Sequence, residues 1–382
     1  MRPRILLVVG ARPNFMKAAS IVEAAPRHGL DVRLVDTGQH YDPELTRLVT
    51  EDLGLPAPHH RLDVGRGRTG LEQLAAVLTG LPAILEAERP DMVVVVGDVT
   101  STLGGALVAA RARAVPVPLA HVEAGLRSRD RTMPEELNRL LVDQLADLLL
   151  CTEPGAVDNL LHEGRGEATV LLVGNTMIDT LLRARARAAQ AGALERLGLS
   201  GGGFGLVTLH RPSNVDDPAQ LAALLEALGQ VARRLPLVFP VHPRTRARLD
   251  ARACPAGLRL LEPQGYLAFL QLMERARLVL TDSGGIQEET TALGVPCLTL
   301  RDSTERPITV SEGTNRLVGT RPEAIVAAAL RVLDAPRPAP GRLPPLWDGQ
   351  AGERIAAAIA GWLAGGPAEA RTRAAALGAR TA

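Results

Sequence analysis

Three acidic side chains in the first half of the chain lie where apolar strands are expected to end. Asp98 follows the run MVVVVG, Glu123 follows VPVPLAHV, and Glu135 opens the helical pattern PEELNR. Carboxylates that converge in an enclosed site can act as general acids or bases, because burial and neighbouring charge raise their pKa values. Asp98 as the N-cap of the next helix, and Glu135 as a partner of its own helix dipole, are the structural alternatives.

A Ser-Gly-Gly turn in the second half of the chain predicts an anion site. The strand-like run RLVLTD leads into Ser283, Gly284 and Gly285 and then directly into a helical pattern. This turn suits a phosphate, because glycines let the backbone approach a ligand and the first N–H groups of a helix have no partner inside it. A plain capping turn is the alternative. Glu288 and Glu289 follow, where one could reach a sugar hydroxyl while at least one lies on a solvated helix face.

The segment GARPNFMK repeats this layout after the first strand of the chain. Arg12 precedes a helix, and Lys17, the only lysine in the chain, lies one turn into it. Both cations could meet a diphosphate, which an ammonium binds as a point charge and a guanidinium as a planar fork. The segment lacks a GxGxxG fingerprint, so a helix-start arginine and a surface lysine are the alternative.

Histidine and cysteine spacing does not suggest a metal site. The eight histidines form no HxxxH or HxxH pair, and the three cysteines are widely separated. A GxSxG motif is absent, which argues against a serine hydrolase. His121, His210 and His242 lie at expected strand ends, where functional residues concentrate in such sheets. We expect neither a metal nor another cofactor.

The elements that must position these residues alternate in a βαβ rhythm. Runs such as RILLVVG, DMVVVVGD and GLVTLH are too continuously apolar to have a face in water, which is typical of parallel strands covered by helices on both sides. The pattern predicts an α/β protein with two doubly wound, Rossmann-like domains, over residues 1–172 and 173–351. A Pro-rich crossing linker precedes a final helix over about 352–366, and a low-complexity tail over 367–382 is expected to fray. Ligands bind beyond the carboxyl ends of such strands, so an active-site cleft between the domains is expected.

Composition and charge exclude several classes of protein. The 382 residues carry a formal net charge of +1, and 2% of them are aromatic. Balanced charge argues against a nucleic-acid binder or a basic membrane-surface protein, and the scarcity of aromatic residues argues against a base-stacking platform. Without an uninterrupted apolar run of membrane-spanning length or a secretory signal pattern, a soluble cytoplasmic protein is expected.

A series of ordered segments, over roughly residues 4–360, together resembles one family. The segments are GARPNFMK, DTGQHYD, GDVTSTLGGALVA, HVEAGLRS, MPEELNR, EGRGEATVLLVGNTMIDTL, VTLHRPSN, PVHPRT, LTDSGGIQEETTALGVPCLTLRDSTERP and EGTNRLVGT. The chain resembles the non-hydrolysing UDP-N-acetylglucosamine 2-epimerases. This resemblance implies a GT-B-like fold with a UDP-binding second domain, a final helix that returns to the first domain, and a homodimer.

The resemblance also implies roles for individual residues. Asp98, Glu123 and Glu135 match the essential acids of the family, and His210 matches its essential histidine. The residues that match UDP or substrate contacts are Arg12, Lys17, Arg127, Arg211, Tyr266, Phe269, Ser283, Gly284, Gly285, Glu289 and Arg301. Gln39 and His242 match a regulatory site, whereas Asp42 stands where members regulated by UDP-GlcNAc carry glutamine, which leaves allosteric activation open.

The implied reaction is reversible epimerisation of UDP-GlcNAc to UDP-ManNAc at C2. Anti elimination of UDP across C1–C2 gives 2-acetamidoglucal, and UDP adds back after C2 is reprotonated on the opposite face. Departures from the common family motifs at Ala11, Asn14, Pro212 and Ser213 leave the sugar open. The alternatives are a hydrolysing 2-epimerase that releases ManNAc, an epimerase of a related diacetamido sugar, a GT-B glycosyltransferase, and a binding module without catalysis.

Overall fold

The computed structural model describes residues 2–39, 50–65, 67–111, 117–199, 203–241, 243–249, 254–336 and 343–381. The chain divides into two compact units. Unit 1 comprises Met1–Thr180 and Pro345–Ala382, and unit 2 comprises Leu181–Pro344. The chain leaves unit 1 after Thr180, inside a helix, whereas the sequence pattern places this boundary after residue 172. It returns to unit 1 at Pro345, whereas the pattern places the return at about residue 352.

The described strands and helices alternate along most of the chain. The strands are β1 (Arg4–Val9), β2 (Asp31–Asp36), β3 (His60–Arg61), β4 (Met92–Val96), β5 (Leu119–Ala124), β6 (Leu148–Cys151), β7 (Val170–Leu172), β8 (Gly205–Thr208), β9 (Leu237–Pro240), β10 (Leu258–Leu261), β11 (Leu278–Thr281), β12 (Cys297–Thr299), β13 (Asn315–Leu317) and β14 (Arg380–Thr381). The helices are α1 (Arg12–Ala24), α2 (Gly70–Glu88), α3 (Thr100–Arg111), α4 (Pro134–Leu145), α5 (Pro154–His162), α6 (Thr176–Ala189), α7 (Ala193–Arg196), α8 (Pro212–Val215), α9 (Pro218–Ala232), α10 (Pro243–Arg246), α11 (Tyr266–Arg275), α12 (Gly284–Leu293), α13 (Ile308–Ser311), α14 (Pro322–Asp334) and α15 (Ala351–Ala375).

Unit 1 contains a doubly wound sheet in the order β14-β7-β6-β5-β4-β1-β2-β3. Its strand pairs are parallel except that of β14 with β7. The order reverses between β1 and β4, so the loops that follow these two strands lie at a topological switch point. Ligands of open α/β sheets bind at such points.

Unit 2 repeats the arrangement with a parallel sheet in the order β10-β9-β8-β11-β12-β13. Here the order reverses between β8 and β11. The loops that carry His210 and the Ser-Gly-Gly turn therefore lie at the switch point of this unit. The predicted α/β class with two Rossmann-like parallel-sheet domains is confirmed.

The continuous apolar runs arise because both faces of the first sheet are covered. In β1, Leu7 points into a core that includes Phe15 of α1 and Ile355 of α15. Leu6 points into a second core, which includes Val77 of α2. Since successive strand residues face opposite sides, a strand between two cores is apolar at nearly every position.

Helix α2 is absent from the sequence-based pattern. Gly80 and Pro82 interrupt its apolar periodicity, and Leu71 is 80% exposed. Its start nevertheless carries a capping box, because the Thr69 N–H donates to Glu72 Oε2 at 2.7 Å and Thr69 Oγ1 accepts from the Glu72 N–H. This Thr-x-x-Glu signal was sufficient to locate the helix.

The C-terminal tail does not fray, contrary to expectation. Helix α15 continues past a break at Gly365 and Gly366 to Ala375, and β14 then pairs antiparallel with β7. Ala370 and Ala374 are fully buried in the same core as α1. In the described part of the chain, no helix is both long and apolar enough to cross a bilayer.

Candidate active site

Asn14 sets the geometry of the loop that follows β1. Its Oδ1 accepts hydrogen bonds from the Ala11 N–H at 3.0 Å and the Gly10 N–H at 3.3 Å, while its Nδ2 donates to Val96 O at 2.9 Å. The amide therefore links the start of α1 to the end of β4. A carboxylate could accept the first two hydrogen bonds but could not donate the third. This requirement for both an acceptor and a donor explains why asparagine suits the position.

Lys17 pairs with a candidate catalytic acid. Its Nζ lies 2.7 Å from each oxygen of Glu123, and the two side chains are 7% and 2% exposed. The sequence predicts a diphosphate contact for Lys17, whereas the structure places its ammonium on a carboxylate within unit 1. Gly97 makes room for the pair: it has a φ of 69°, and a Cβ there would lie 3.2 Å from Nζ.

The backbone of Glu123 is unusual. Its φ of 72° is in the left-handed region, and the pairing of β5 with β6 shifts register between Val122 and Ala124. Bulges re-aim side chains and are common beside active sites. Strain of this kind costs about 1–3 kcal/mol and persists where the surroundings impose it.

Asp98 is held by helix α4. Arg139 Nη1 forms an ion pair with Asp98 Oδ2, and Asn138 Nδ2 donates to Asp98 O at 2.8 Å. The carboxylate of Asp98 is therefore committed to a buried guanidinium. Helix α3 begins at Thr100, so Val99 and not Asp98 occupies its N-cap position.

Glu136 anchors the other side of Arg139. It accepts the N–H groups of Ser128 at 2.9 Å and Arg129 at 2.8 Å, and its Oε2 lies 2.6 Å from Arg139 Nη2. Burial raises the pKa of Glu136, but the Ser128 N–H and Arg139 lower it further, so the net shift is downward. Sequence reasoning missed both residues, although they stand in the same motif as Glu135.

Glu135 is a half-buried acid in the first turn of α4. It precedes Asn138 and Arg139 by three and four residues, so it lies on the helix face that holds Asp98. Among the described residues, it makes no hydrogen bond or ion pair. Of the three candidate acids in unit 1, Glu135 is thus the one without a dedicated cation.

Arg127, which the resemblance implies as a UDP or substrate contact, is buried within unit 1. Its Nη1 lies 2.7 Å from Asp143 Oδ2, and its Nε donates to Glu163 Oε1 at 2.8 Å. Burial lowers the pKa of Arg127, but Glu163 and Asp143 raise it more strongly, so the net shift is upward. With 3% of its side chain exposed, Arg127 fixes the loop after β5 instead of presenting a cation.

In unit 2, a buried carboxylate orients His210. The Nδ1 atom of His210 lies 2.9 Å from Asp282 Oδ1, and the His210 side chain is 41% exposed. Asp282 also accepts the N–H groups of His210 and Arg211. Burial raises the pKa of Asp282, but His210 lowers it more, so the net shift is downward. Such a pair fixes the ring and directs its other nitrogen away from the acid. The sequence places Asp282 in the same strand-end loop as the Ser-Gly-Gly turn, but it does not identify Asp282 as the partner of His210.

The Ser-Gly-Gly turn starts helix α12 beside a cluster of arginines. Glu305 Oε2 accepts from Arg301 Nη2 at 2.9 Å, and its Oε1 lies 3.5 Å from Arg211 Nη2. A Cβ on Gly284 would lie 2.4 Å from Glu305 Oε1, so a side chain there would displace the Glu305 carboxylate from its arginines. Burial raises the pKa of Glu305, but Arg301, Arg306 and Arg211 lower it far more.

Arginines and buried carboxylates alternate beside this turn. Arg306 Nε lies 2.8 Å from Glu288 Oε1, while the Glu305 carboxylate is shared between Arg211 and Arg301. Arg301 Nη1 is buried without a hydrogen-bond partner. An unsatisfied guanidinium donor next to a helix N-terminus could bind an anion, which is the role that the sequence predicts for this turn.

Neither Glu288 nor Glu289 lies on a solvated face. Glu289 is 2% exposed and accepts a hydrogen bond from Tyr266 Oη at 3.0 Å. Burial raises the pKa of Glu289 to about 8, although the Tyr266 bond opposes the shift. Glu289 and Tyr266, both of which the resemblance implies as UDP or substrate contacts, therefore form one buried pair.

The remaining predicted residues are placed as follows. Gln39 Oε1 accepts from the N–H and hydroxyl of Ser101 at the start of α3. Arg12, Phe269, Ser283 and Gly285 are half-buried in their expected elements. Asp42 and His242 lie outside the described residues. In the described ranges, no group of three or more His, Cys, Asp or Glu side chains is arranged to hold a metal ion.

The two switch points offer complementary chemistry. The loops of unit 1 present carboxylates, which can hold and exchange protons. The loops of unit 2 present guanidiniums, a helix N-terminus and an oriented imidazole, which stabilise an anion. A reaction that moves a proton and releases a diphosphate requires both sets.

Comparison with known proteins identifies relatives over almost the whole chain. A family model described as UDP-N-acetylglucosamine 2-epimerase matches residues 23–360. The chain is 40% identical over 361 residues to the UDP-2,3-diacetamido-2,3-dideoxy-D-glucuronate 2-epimerase of Pseudomonas aeruginosa, covering 94% of this chain and 99% of the relative. It is 38% identical over 364 residues to the UDP-N-acetylglucosamine 2-epimerase of Methanocaldococcus jannaschii, covering 92% and 97%.

Solved structures agree with these similarities. The structure of Methanocaldococcus jannaschii UDP-GlcNAc 2-epimerase in complex with UDP-GlcNAc and UDP matches with a TM-score of 0.85 at 38% identity, covering 92% of this chain and 98% of that one. A spinosyn forosaminyltransferase matches with a TM-score of 0.51 at 16% identity over 99% of both chains, a likeness of fold alone. The fold is the GT-B-like two-domain fold.

Proposed function

The chain belongs to the UDP-N-acetylglucosamine 2-epimerase family, and from this we propose that it interconverts UDP-GlcNAc and UDP-ManNAc without a cofactor. Membership makes it a 2-epimerase of a UDP-sugar. The choice of UDP-GlcNAc follows the Methanocaldococcus relative and the motifs shared with that group. The observation that carries the proposal is the acid group of unit 1, in which Lys17 holds Glu123 and Arg139 holds Asp98.

The proposed reaction begins with elimination. A carboxylate of unit 1 removes the C2 proton, the C2–H electron pair forms the C1–C2 double bond, and the C1–O bond breaks with its pair going to UDP. Since a proton on C2 is weakly acidic, departure of the diphosphate must drive the step. Reprotonation of C2 on the opposite face and re-addition of UDP at C1 complete the inversion.

The contacts of the three acids suit different parts of this cycle. Ion pairs hold Glu123 and Asp98 in place, where their charge can stabilise positive charge near C1 as UDP leaves. Glu135 makes no hydrogen bond or ion pair among the described residues, so its carboxyl group is available to meet the substrate. We propose that Glu135 takes part in proton transfer while Asp98 and Glu123 orient and stabilise the sugar.

Unit 2 is proposed to hold the nucleotide. Arg211 and Arg301, with the N-terminus of α12, would take the diphosphate, and the orphaned Arg301 Nη1 supports this assignment. His210, oriented by Asp282, would donate to the departing β-phosphate. Glu289 and Tyr266 would bind the nucleoside.

A UDP-diacetamido uronic acid is the second candidate substrate, because the Pseudomonas relative that acts on this sugar is 40% identical over nearly its whole length. The test follows each substrate by proton NMR in deuterated water. With UDP-GlcNAc we expect UDP-ManNAc and deuterium at C2 of both sugars. Turnover confined to the diacetamido sugar would select the second candidate, and free ManNAc would indicate the hydrolysing reaction.

We also propose that the protein is a homodimer. Helices α2 and α4 flank α3 on one side of the first sheet, and each exposes leucines: Leu71, Leu78, Leu137 and Leu141 are between 37% and 80% exposed. Light scattering after gel filtration should give a dimer mass for the wild type and a monomer mass for Leu141→Glu. A monomeric wild type would refute the proposal.

A further inference from the structure

The left-handed conformation of Glu123 needs support from its surroundings. A residue with a side chain keeps such a conformation only where neighbouring contacts impose it. The sheet itself does not impose it, because regular pairing of β5 with β6 would return Glu123 to an extended conformation. Contacts on both sides of the bulge fix the chain instead.

His121 fixes the side that precedes the bulge. It is fully buried, and its Nε2 lies 2.8 Å from Gly97 O. The Gly97 N–H in turn donates to Val122 O at 3.0 Å. The two residues before Glu123 are thus tied to the same glycine that makes room for the Lys17 ammonium.

Asp143 of helix α4 fixes the side that follows the bulge. Its Oδ2 accepts the Gly125 N–H at 3.0 Å, and its Oδ1 lies 2.6 Å from His121 Nδ1. A Cβ on Gly125 would lie 2.2 Å from Ala156 O, so this turn has no room to shift. His121 and Asp143 together therefore connect the residues on either side of Glu123.

The shape of the His121 ring suits this task. Its two nitrogens face acceptor atoms on opposite sides, Asp143 Oδ1 at Nδ1 and Gly97 O at Nε2. A glutamine side chain has one donor group and one acceptor group, and would set its oxygen against one of these partners. Replacement of His121 should therefore release one side of the bulge.

We propose that His121 is a positioning residue: held between Asp143 and Gly97 O, it maintains the bulge in β5 that sets Glu123 against Lys17. Only the kinetic consequence rests on the proposed function. The geometric consequence can be measured in the absence of any substrate.

The single lysine makes this measurement direct. Labelling with ¹³C-lysine gives one Cε signal, which reports on the Lys17–Glu123 pair alone. We expect Glu123→Gln to shift this signal and His121→Gln to shift it in the same direction. We call the contacts of His121 with Asp143 and Gly97 O the clamp. Val142→Ala opens a cavity in the core beside Asp143 and changes no residue of the clamp, so the Lys17 signal should stay at the wild-type position.

A Lys17 signal at the wild-type position in folded His121→Gln would overturn the proposal. Asp143→Asn tests the same clamp from the other side and is expected to shift the signal as His121→Gln does. An unchanged signal in Asp143→Asn would equally contradict it.

Kinetics provide the second readout. His121→Gln should lower kcat on the order of 10²-fold with little change in KM, since a small misplacement of a reacting group has effects of this size. Val142→Ala should keep wild-type kcat per folded molecule. An equal loss of kcat in both variants would indicate that His121 has only a structural role. If the wild type turns over no UDP-sugar, the proposed function fails. The Lys17 signal alone then shows whether His121 positions Glu123.

Discussion

The switch-point loops of the two units handle buried charge in opposite ways. In unit 1, Lys17 pairs with Glu123, and the single guanidinium of Arg139 is shared between Asp98 and Glu136. In unit 2, the single carboxylate of Glu305 is shared between Arg211 and Arg301, and one nitrogen of Arg301 has no hydrogen-bond partner among the described residues. The first arrangement suits the proton transfer that we propose for unit 1, and the second suits the anion that we propose for unit 2.

The two regions also differ in backbone strain. Glu123 has a positive φ within a strand, whereas Ser283 caps α12 with an ordinary φ of −86°. An anion site built from backbone N–H groups needs only a glycine and a helix start. A carboxylate that must meet a reacting carbon needs a fixed direction, which the bulge supplies.

The largest expected effect comes from removing an acid of unit 1. Asp98→Asn or Glu123→Gln should lower kcat by about 10³-fold or more, because each removes a charge that acts in the transition state. UDP affinity, measured by calorimetry, should stay at the wild-type value in both variants. Wild-type turnover in either variant would remove these residues from the reaction.

A smaller effect is expected from Lys17→Arg. The ammonium fits against Gly97 with no space for a planar fork, so kcat should fall on the order of 10²-fold. Arg27→Lys is the matched control, because Arg27 lies in the same unit and its side chain is 54% exposed. Steady-state rates that are equal for the two variants would make the lone lysine incidental.

In unit 2, Arg301→Gln should weaken binding of UDP. Loss of one charge-assisted contact is expected to raise the Kd for UDP about tenfold, with a smaller change in kcat at saturating substrate. Arg234→Gln, which breaks an exposed pair with Asp334, is the control and should bind UDP normally. A large fall in kcat without a change in Kd would contradict the division between the two units.

The smallest effect concerns stability. Because the folded-state pKa of Glu289 is about 8 against an ordinary 4.5, its contribution to stability is fully present below about pH 4.5 and is lost as the pH rises toward 8. The wild type should lose on the order of 1 kcal/mol of unfolding free energy per pH unit in that window through this group. Denaturant melts of Glu289→Gln should lack this loss, while those of Glu226→Gln, an exposed position, should retain it.

The sequence predicted the elements that carry the site better than the contacts within it. β1, β4, β5, β8 and β11 were identifiable because two covered faces give unbroken apolar runs. The sequence did not identify the partners Asp143, Arg139 and Asp282. The position of a residue in a helix or loop does not reveal which strand end its side chain faces. The helix start at Thr69 carried a local signal that hydrophobic periodicity obscured.

Arg127 and Lys17 also show that the sequence does not reveal which side chains pair. Both stand in motifs where a cation suggests a phosphate, yet each is buried against carboxylates of its own unit. Counting charges along the chain does not reveal such pairing, because Lys17 and Glu123 are separated by more than a hundred residues. Once the structure gives the strand order, the location of each loop at a switch point follows from that order alone.

Positional isotope exchange tests the central claim, elimination driven by the acids of unit 1. UDP-GlcNAc labelled with ¹⁸O in the bond between C1 and the β-phosphate is incubated with enzyme and followed by ³¹P NMR. Cleavage of C1–O makes the β-phosphate oxygens equivalent, so we predict that the label moves to non-bridging positions with the wild type and not with Asp98→Asn. Epimerisation that leaves the label in the bridge would contradict the account.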